Sequence, residues 1–305
     1  MTSGSQEWGC DVTDGPVTRS GRSDHMRRRA VVLSVTVTLL VSIGAGLIIS
    51  QEPGDDAKAR SLIRSALERV AWNEEQHFEI RYRSQMTREV RRFNGDGEVE
   101  ERDLGDFEVF PLDGAPYERR VSINGRPLSE EELEGEAERE ATFRQALQRM
   151  RDGESDPEDD ENEVIFNEEL IDRYVFSLVG EEMWRNRPSY RISFRPRDGN
   201  LPVRRRVDHA LNKARGQVWV DTETFEAARV EFELIDRVRL WWGALGTITE
   251  ARGSMDRAPV LDDIWAQIQY ETYTNIRVLF RRTRRAELRQ WRNHELVAST
   301  PQPVH

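Results

Sequence analysis

Two periods of apolar spacing organise the chain beyond residue 50. Leu62, Ile63, Ala66, Leu67, Val70 and Ala71 recur at helical spacing, which predicts a helix from a cap at Asp55 or Asp56 to about Trp72. The period then becomes two: Phe78, Ile80 and Tyr82 alternate with Glu79, Arg81 and Arg83, as in a half-buried strand. Asn94-Gly95-Asp96-Gly97 signals a turn, Phe107-Glu108-Val109 a returning strand, and Tyr117 to Ile123 a third strand ended by Asn124-Gly125. Ser129, three residues before Glu132, fits a capping box. The helix it opens should run to about Met150, turning Leu133, Ala137, Ala141, Phe143, Leu147 and Met150 inward, and should end at Gly153.

Strands resume with Tyr174-Phe176-Leu178 and Tyr190-Ile192-Phe194, joined near Asn186-Arg187-Pro188. Leu201 to Ala214 has no clear period, and Val218-Trp219-Val220 is a short apolar run. Val230, Phe232 and Leu234 alternate cleanly with Arg229, Glu231 and Glu233. Three more strands are expected over residues 264–273, 276–282 and 284–291. The chain therefore reads as α+β and mainly antiparallel, with about ten strands in consecutive hairpins and two or three helices. A sheet of that size, apolar on one face and charged on the other, must curl or pack on something. The helices at 55–72 and 129–150 are the available cover for its apolar face. The space enclosed is either filled core or a ligand cavity.

Upstream of this domain, Ala30 to Ser50 is 21 residues without a charge, preceded by Arg27-Arg28-Arg29. As a helix it spans about 31 Å, close to the roughly 30 Å hydrocarbon core of a bilayer. The arginines before it predict a single pass through the inner membrane with the C-terminal domain outside, in the periplasm. A cleaved signal is the rival reading, with Ala57-Lys58-Ala59 as its tidy cleavage site. Residues 1–29 read as a disordered cytoplasmic tail in which Met26 offers an alternative start. Residues 51–292 form the folded domain, and 293–305 a disordered tail. Cys10, the one cysteine, lies upstream, so an exported domain would hold no disulfide and no thiolate metal site.

Charge is uneven. Residues 130–169 carry 17 acidic and 4 basic side chains, a net of −13, whereas the whole chain is at −11. The acidity is thus a local insertion and says little about partners. Within it, residues 156–163 read as a solvated loop, lacking the spacing of a calcium-binding loop. Only Lys58 and Lys213 are lysines. Arginines cluster at Arg204-Arg205-Arg206 and at Arg277, Arg281, Arg282, Arg284, Arg285, Arg289 and Arg292. They read either as a solvated strand face or, outside the membrane, as a partner for anionic headgroups rather than for nucleic acid.

No catalytic constellation emerges. His77, His209 and His294 lie in no nucleophile motif, and neither a zinc-binding spacing nor a phosphate loop is present, so no cofactor or metal is expected. Trp241-Trp242-Gly243-Ala244-Leu245-Gly246 is an apolar patch that does not alternate. It fits a loop at a cavity mouth, with Trp241, Trp242 and Leu245 touching ligand, or burial at a barrel corner.

Gly216-Gln217-Val218-Trp219-Val220-Asp221-Thr222-Glu223-Thr224, leading into Ala228-Arg229-Val230-Glu231, resembles a recurring hairpin of the LolA/LolB-like superfamily. There a strand ending in Trp-x-Asp turns at a Thr-rich loop; the aspartate suits an Asx-turn and the tryptophan is expected on the inner face. Tyr117-Glu118-Arg119 to Pro127-Leu128-Ser129-Glu130-Glu131-Glu132 looks like uncharacterised exported proteins of this type. The resemblance covers roughly residues 55–292. It implies a curved half-open β-barrel with helices over its mouth and a cavity for lipid or lipoprotein acyl chains. Relatives carry lipoproteins or sense them, as in RseB-like regulators. The acidic insertion is outside the pattern, and no functional residue carries over.

Overall fold

In the computed structural model, described over residues 53–153, 164, 166–240, 246–262, 264–279 and 281–297, the first helix, α1, runs Pro53–Glu75. It starts two residues before the expected cap. Ala59, Ile63 and Ala66 are its buried positions, while the end of the expected stripe, Ala71, is exposed. The predicted strand at 78–82 is instead a 3-10 turn, Phe78–Ile80, because His77 takes a left-handed φ of 51° and breaks the extended run. Strand β1 (Tyr82–Phe93) follows, then β2 (Val99–Leu112), β3 (Ala115–Ile123) and the two-residue β4 (Arg126–Pro127).

Turn chemistry fixes these hairpins. The Asn94 side chain accepts the Asp96 and Glu98 backbone N–H groups at 3.0 and 2.9 Å. Asn124 and Gly125 both have positive φ, 50° and 79°, as a two-residue hairpin turn requires. Helix α2 (Glu130–Arg151) opens on the capping box of Ser129 and Glu132 and ends before Gly153 at φ 81°. Only its second half packs through apolar side chains: Phe143 and Leu147 are buried against Leu112 and Tyr117, and Ala146 is buried too, whereas Leu133, Ala137, Ala141 and Met150 are exposed.

After a short helix α3 (Glu168–Asp172), β5 (Tyr174–Trp184) and β6 (Arg187–Pro196) pair around Arg185 and Asn186, φ 47° and 63°. The region without a period holds helix α4 (Asp208–Leu211); β7 (Ala214–Asp221) and β8 (Ala227–Leu234) follow it. At Gly216 a Cβ would stand 1.9 Å from the Glu231 carbonyl oxygen, so glycine is what lets β7 and β8 approach. The chain closes with β9 (Val238–Leu240), β10 (Gly246–Leu261), β11 (Ile264–Val278) and β12 (Arg281–Leu296). The expected strand at 276–282 is thus the end of β11 and the start of β12. β12 also continues past residue 292, where the domain was expected to end, and pairs with Tyr82 and Arg83.

Among the described residues twelve strands, against the roughly ten expected, form an open and curled antiparallel array. The orders are β4-β3-β2-β1-β12-β11-β10-β9 and β5-β6-β7-β8. Where the two sheets meet, β8 lies along β10: Phe232 packs on Ala251, and ion pairs join Arg229 to Asp256 and Glu226 to Arg257. Helix α1 covers the small sheet, burying Ala59, Ile63 and Ala66 against Phe176, Ile192 and Val220. Register places Phe232, Ala251, Met255, Tyr270, Glu287, Arg289 and Met86 on that same inner face. Helix α2 packs on Phe110 and Tyr117, which point the opposite way from Phe107, so it covers the outer face of the β2–β3 hairpin. The expectation that both helices roof the apolar face holds for α1 alone.

The apolar segment Ala30–Ser50 and the acidic run 156–163 lie outside the described residues. Among the described residues no helix is long and apolar enough to cross a membrane.

Packing this unequal makes a direct test. Ile192→Ala, at a fully buried position, is expected to lower unfolding free energy by about 2–5 kcal/mol. Leu133→Ala, at a position 55% exposed, should change it by less than about 0.5 kcal/mol. Urea unfolding of both variants measures the contrast.

Candidate binding face

The inner face changes character from one end to the other. Under α1 it is apolar, lined by Tyr174, Phe176, Ile192 and Val220. At the seam it turns ionic. Glu226 is fully buried and accepts from Arg69 Nε at 2.9 Å, Asn73 Nδ2 at 2.8 Å and Arg257 Nη1 at 2.5 Å. Arg69 and Asn73 belong to α1, so one carboxylate ties the helix to the line where the sheets join.

Farther along, on β1 and β12, Glu287 is met by three arginines. Arg88 and Arg289 each donate Nε to the same Oε1 at 2.7 Å, and Arg285 Nη2 reaches the other oxygen. Arg289 continues to Glu118 at 3.3 Å, and its guanidinium lies 6.0 Å from the centre of the Tyr270 ring. Burial opposes ionisation of Glu287, yet the three guanidiniums outweigh it and hold the carboxyl down to about 2. Met86, Phe107 and Trp291 flank this cluster through direct strand pairing.

The outer face of the seam is held differently. Arg229 sits between Trp184 and Trp219, 4.6 and 5.7 Å from their ring centres, while its Nη1 binds Asp256 at 2.5 Å. Arg185 reaches the same aspartate at 3.0 Å. Trp219, expected on the inner face, is therefore on the outer one. Its backbone pairs with Arg191, one residue away from inward Ile192. Asp221 does make the expected Asx-turn, accepting the Glu223 and Thr224 N–H groups at 3.1 and 2.9 Å; Arg187 also binds it, and the aspartate is held below the ordinary carboxylate range although burial opposes this.

The arginine clusters separate accordingly. Arg204 pairs with Glu169, and the Arg204 and Arg205 backbone N–H groups donate to Asp208 at 2.7 and 3.0 Å, closing the loop before α4. On β12, Arg285 and Arg289 turn inward, Arg284 caps the Asn94–Gly95 turn, and Arg281, Arg282 and Arg292 are exposed. Sequence alternation hid Arg88 altogether, since its run of charged neighbours gives no sign of which face is covered. Of the histidines, His294 is half-buried beside Tyr82, and burial lowers its pKa. Among the described residues no group of three His, Cys, Asp or Glu could hold a metal ion. Trp241, Trp242 and Leu245 lie outside the described residues.

Glu287 gives the site a signature. Its contribution to stability is complete above the ordinary carboxylate value and is lost as pH falls towards about 2. Glu287→Gln leaves three arginines around a neutral amide, and should cost about 3 kcal/mol or more at neutral pH. The variant should also lose less melting temperature than wild type between pH 5 and pH 2. Thermal melts across that range check both.

No family model matches the chain, and no curated protein matches it. Among solved structures, a putative outer membrane lipoprotein-sorting protein domain from Vibrio parahaemolyticus is similar at 11% identity and a TM-score of 0.30, covering 79% of this chain and 95% of that one. A LolA superfamily protein from Nitrosomonas europaea is similar at 10% identity and a TM-score of 0.27, covering 79% and 94%. MucB is similar at 11% identity and a TM-score of 0.27, covering 77% and 93%. At such scores the likeness carries no argument about ligand or partner.

Proposed function

We propose that this chain is a non-catalytic extracytoplasmic protein that takes acyl chains of a lipid or lipoprotein between α1 and the inner face of its curled sheet. The observation that carries the reading is how α1 covers that face. Of the helix's own side chains on that face, Ala59 and Ala66 are small, Ile63 is the one large residue buried, and Leu62 and Leu67 are half-buried beside it. Fully burying an isoleucine contributes about 1.5–3 kcal/mol, whereas an acyl chain of about a dozen methylenes gains about 0.8 kcal/mol for each one buried. Such a chain can therefore replace the apolar contact it displaces, and the face beneath is already apolar, lined by Phe176, Ile192 and Val220.

An apolar rim supports the same reading. Val278 and Leu279 are exposed at the β11–β12 turn. Gly246 lies close enough to Val278 that a Cβ would meet it at 2.9 Å, so the connection bearing Trp241, Trp242 and Leu245 ends beside that turn. We assign these three residues to contact with acyl chain or membrane. The reading includes no cofactor and no nucleic-acid partner. Delipidated protein titrated with a fluorescent fatty acid or lipopeptide should bind saturably at micromolar ligand. Absence of binding there sinks the proposal.

A second reading, a tethered envelope sensor or interaction module of RseB-like type, is favoured by the uncharged stretch Ala30–Ser50. A protein held in the inner membrane by it cannot shuttle cargo. Mass spectrometry of the mature N-terminus separates the two: a start beyond Ser50 fits a carrier, and an intact Met1 or Met26 fits the sensor or a fixed binding module.

A further inference from the structure

The turn that joins β11 to β12 departs from the other turns of the chain. Its positive-φ residue is Leu279, at 52°, where other hairpins place Asp113-Gly114, Asn124-Gly125, Asn186 or Asp262. A bulky side chain is disfavoured in that region of φ, and asparagine, aspartate or glycine is its ordinary occupant. Leu279 is nevertheless 72% exposed, beside Val278 at 42%. The strained backbone here displays an apolar side chain instead of burying one.

Just inside that tip lies a row of arginines. Arg239 stands opposite Thr247, Thr247 opposite Arg277, and Arg277 opposite Arg282. Direct cross-strand partners project from one face, so three exposed arginines line up from β9 to β12 on the outer side. Like charges set directly opposite each other weaken a sheet. Elsewhere the chain offsets this. Arg83, Arg92 and Arg215 each face and bind a glutamate, and the facing Arg91 and Arg102 share Glu89. At the tip Arg277 gives its Nε to the Leu279 carbonyl oxygen at 3.2 Å, which ties the row to the apolar turn. Among the described residues, Arg239, Arg277, Arg282 and the adjacent Arg281 meet no carboxylate.

We propose that this end of the large sheet docks on an anionic phospholipid bilayer. Leu279 and Val278 enter the boundary between headgroups and acyl chains, while Arg239, Arg277 and Arg282 meet lipid phosphates. A bilayer offers the two layers in the order the tip presents them, with phosphates at the level of the row and acyl chain beyond it. Guanidinium forks suit phosphate oxygens. An acidic protein segment would answer the arginines and leave the apolar tip in water. Docking does not require that α1 admit an acyl chain, so this surface goes beyond the binding reading.

The test uses the full chain with Cys10→Ser and an environment-sensitive fluorophore at Thr283→Cys, an exposed position beside the tip that leaves Leu279 in place. Vesicles are of phosphatidylcholine, with or without phosphatidylglycerol. With phosphatidylglycerol the emission should shift to the blue and be quenched by nitroxide-labelled lipid. The same fluorophore at Asp262→Cys, the exposed turn at the other end of β11, should respond to neither vesicle. Arg239→Gln, Arg277→Gln and Arg282→Gln should each lower the ratio of docked to undocked label about fivefold, and raised salt should lower it in wild type. Leu279→Asp should remove docking without melting earlier than wild type, because aspartate tolerates the left-handed φ. A label beside the tip that reads the same in both vesicles, or that keeps its response through these substitutions and high salt, overturns the surface. Equal quenching at Asp262→Cys overturns it too. Fatty-acid titration is a separate readout, so the docking surface and the acyl-binding reading can each fail without the other.

Discussion

Covering the inner face of a long antiparallel array with a single helix is the constraint on which the remaining features depend. Helix α1 buries Ala59, Ile63 and Ala66 on the small sheet and reaches no farther than the seam with the large one. At that limit the apolar contact gives way to Glu226, which binds two residues of α1 and Arg257 of β10. Beyond it the sheet covers itself with arginines and the carboxylates they pair with. The outer face repeats the solution at the seam with Arg229 between two tryptophans and against Asp256.

Arginine thus does two kinds of work in a chain that has only two lysines. At the two ends of β1, pairs such as Arg83–Glu295 and Arg92–Glu101 are exposed and contribute little, about 0–1 kcal/mol each. On the inner face and at the seam the same residue type carries long apolar stems into enclosed space and ends in planar forks that several carboxylates share. Lysine offers no such fork. The choice is therefore structural in part, whatever it owes to composition.

Local features were legible in the sequence because their physics is local. The capping box at Ser129, the turns at Asn94 and Asn124, the Asx-turn at Asp221 and the alternation of Val230, Phe232 and Leu234 all depend on residues a few positions apart. Strand β10 was not legible: Glu250, Arg252, Asp256 and Arg257 break its pattern, and their cover comes from β8 and from three register shifts that sequence spacing does not encode. The side of the sheet taken by Trp219 and by α2 was hidden for a related reason. Alternation separates two faces but does not say which one a distant helix will cover. Arg88, Glu287 and Arg289 read as ordinary alternating charge, and only the curl of the sheet distinguishes them from Arg83 and Arg292.

The central claim is that the inner face beneath α1 is where ligand enters, so the helix must move relative to the sheet. Paired spin labels test this most directly. They are placed at exposed Ser61 on α1 and exposed Glu271 on β11, with Cys10 replaced by serine. Saturating lipopeptide should lengthen or broaden the distance distribution between them. An unchanged distribution, at a concentration where the lipopeptide is demonstrably bound, contradicts the account and places the ligand elsewhere.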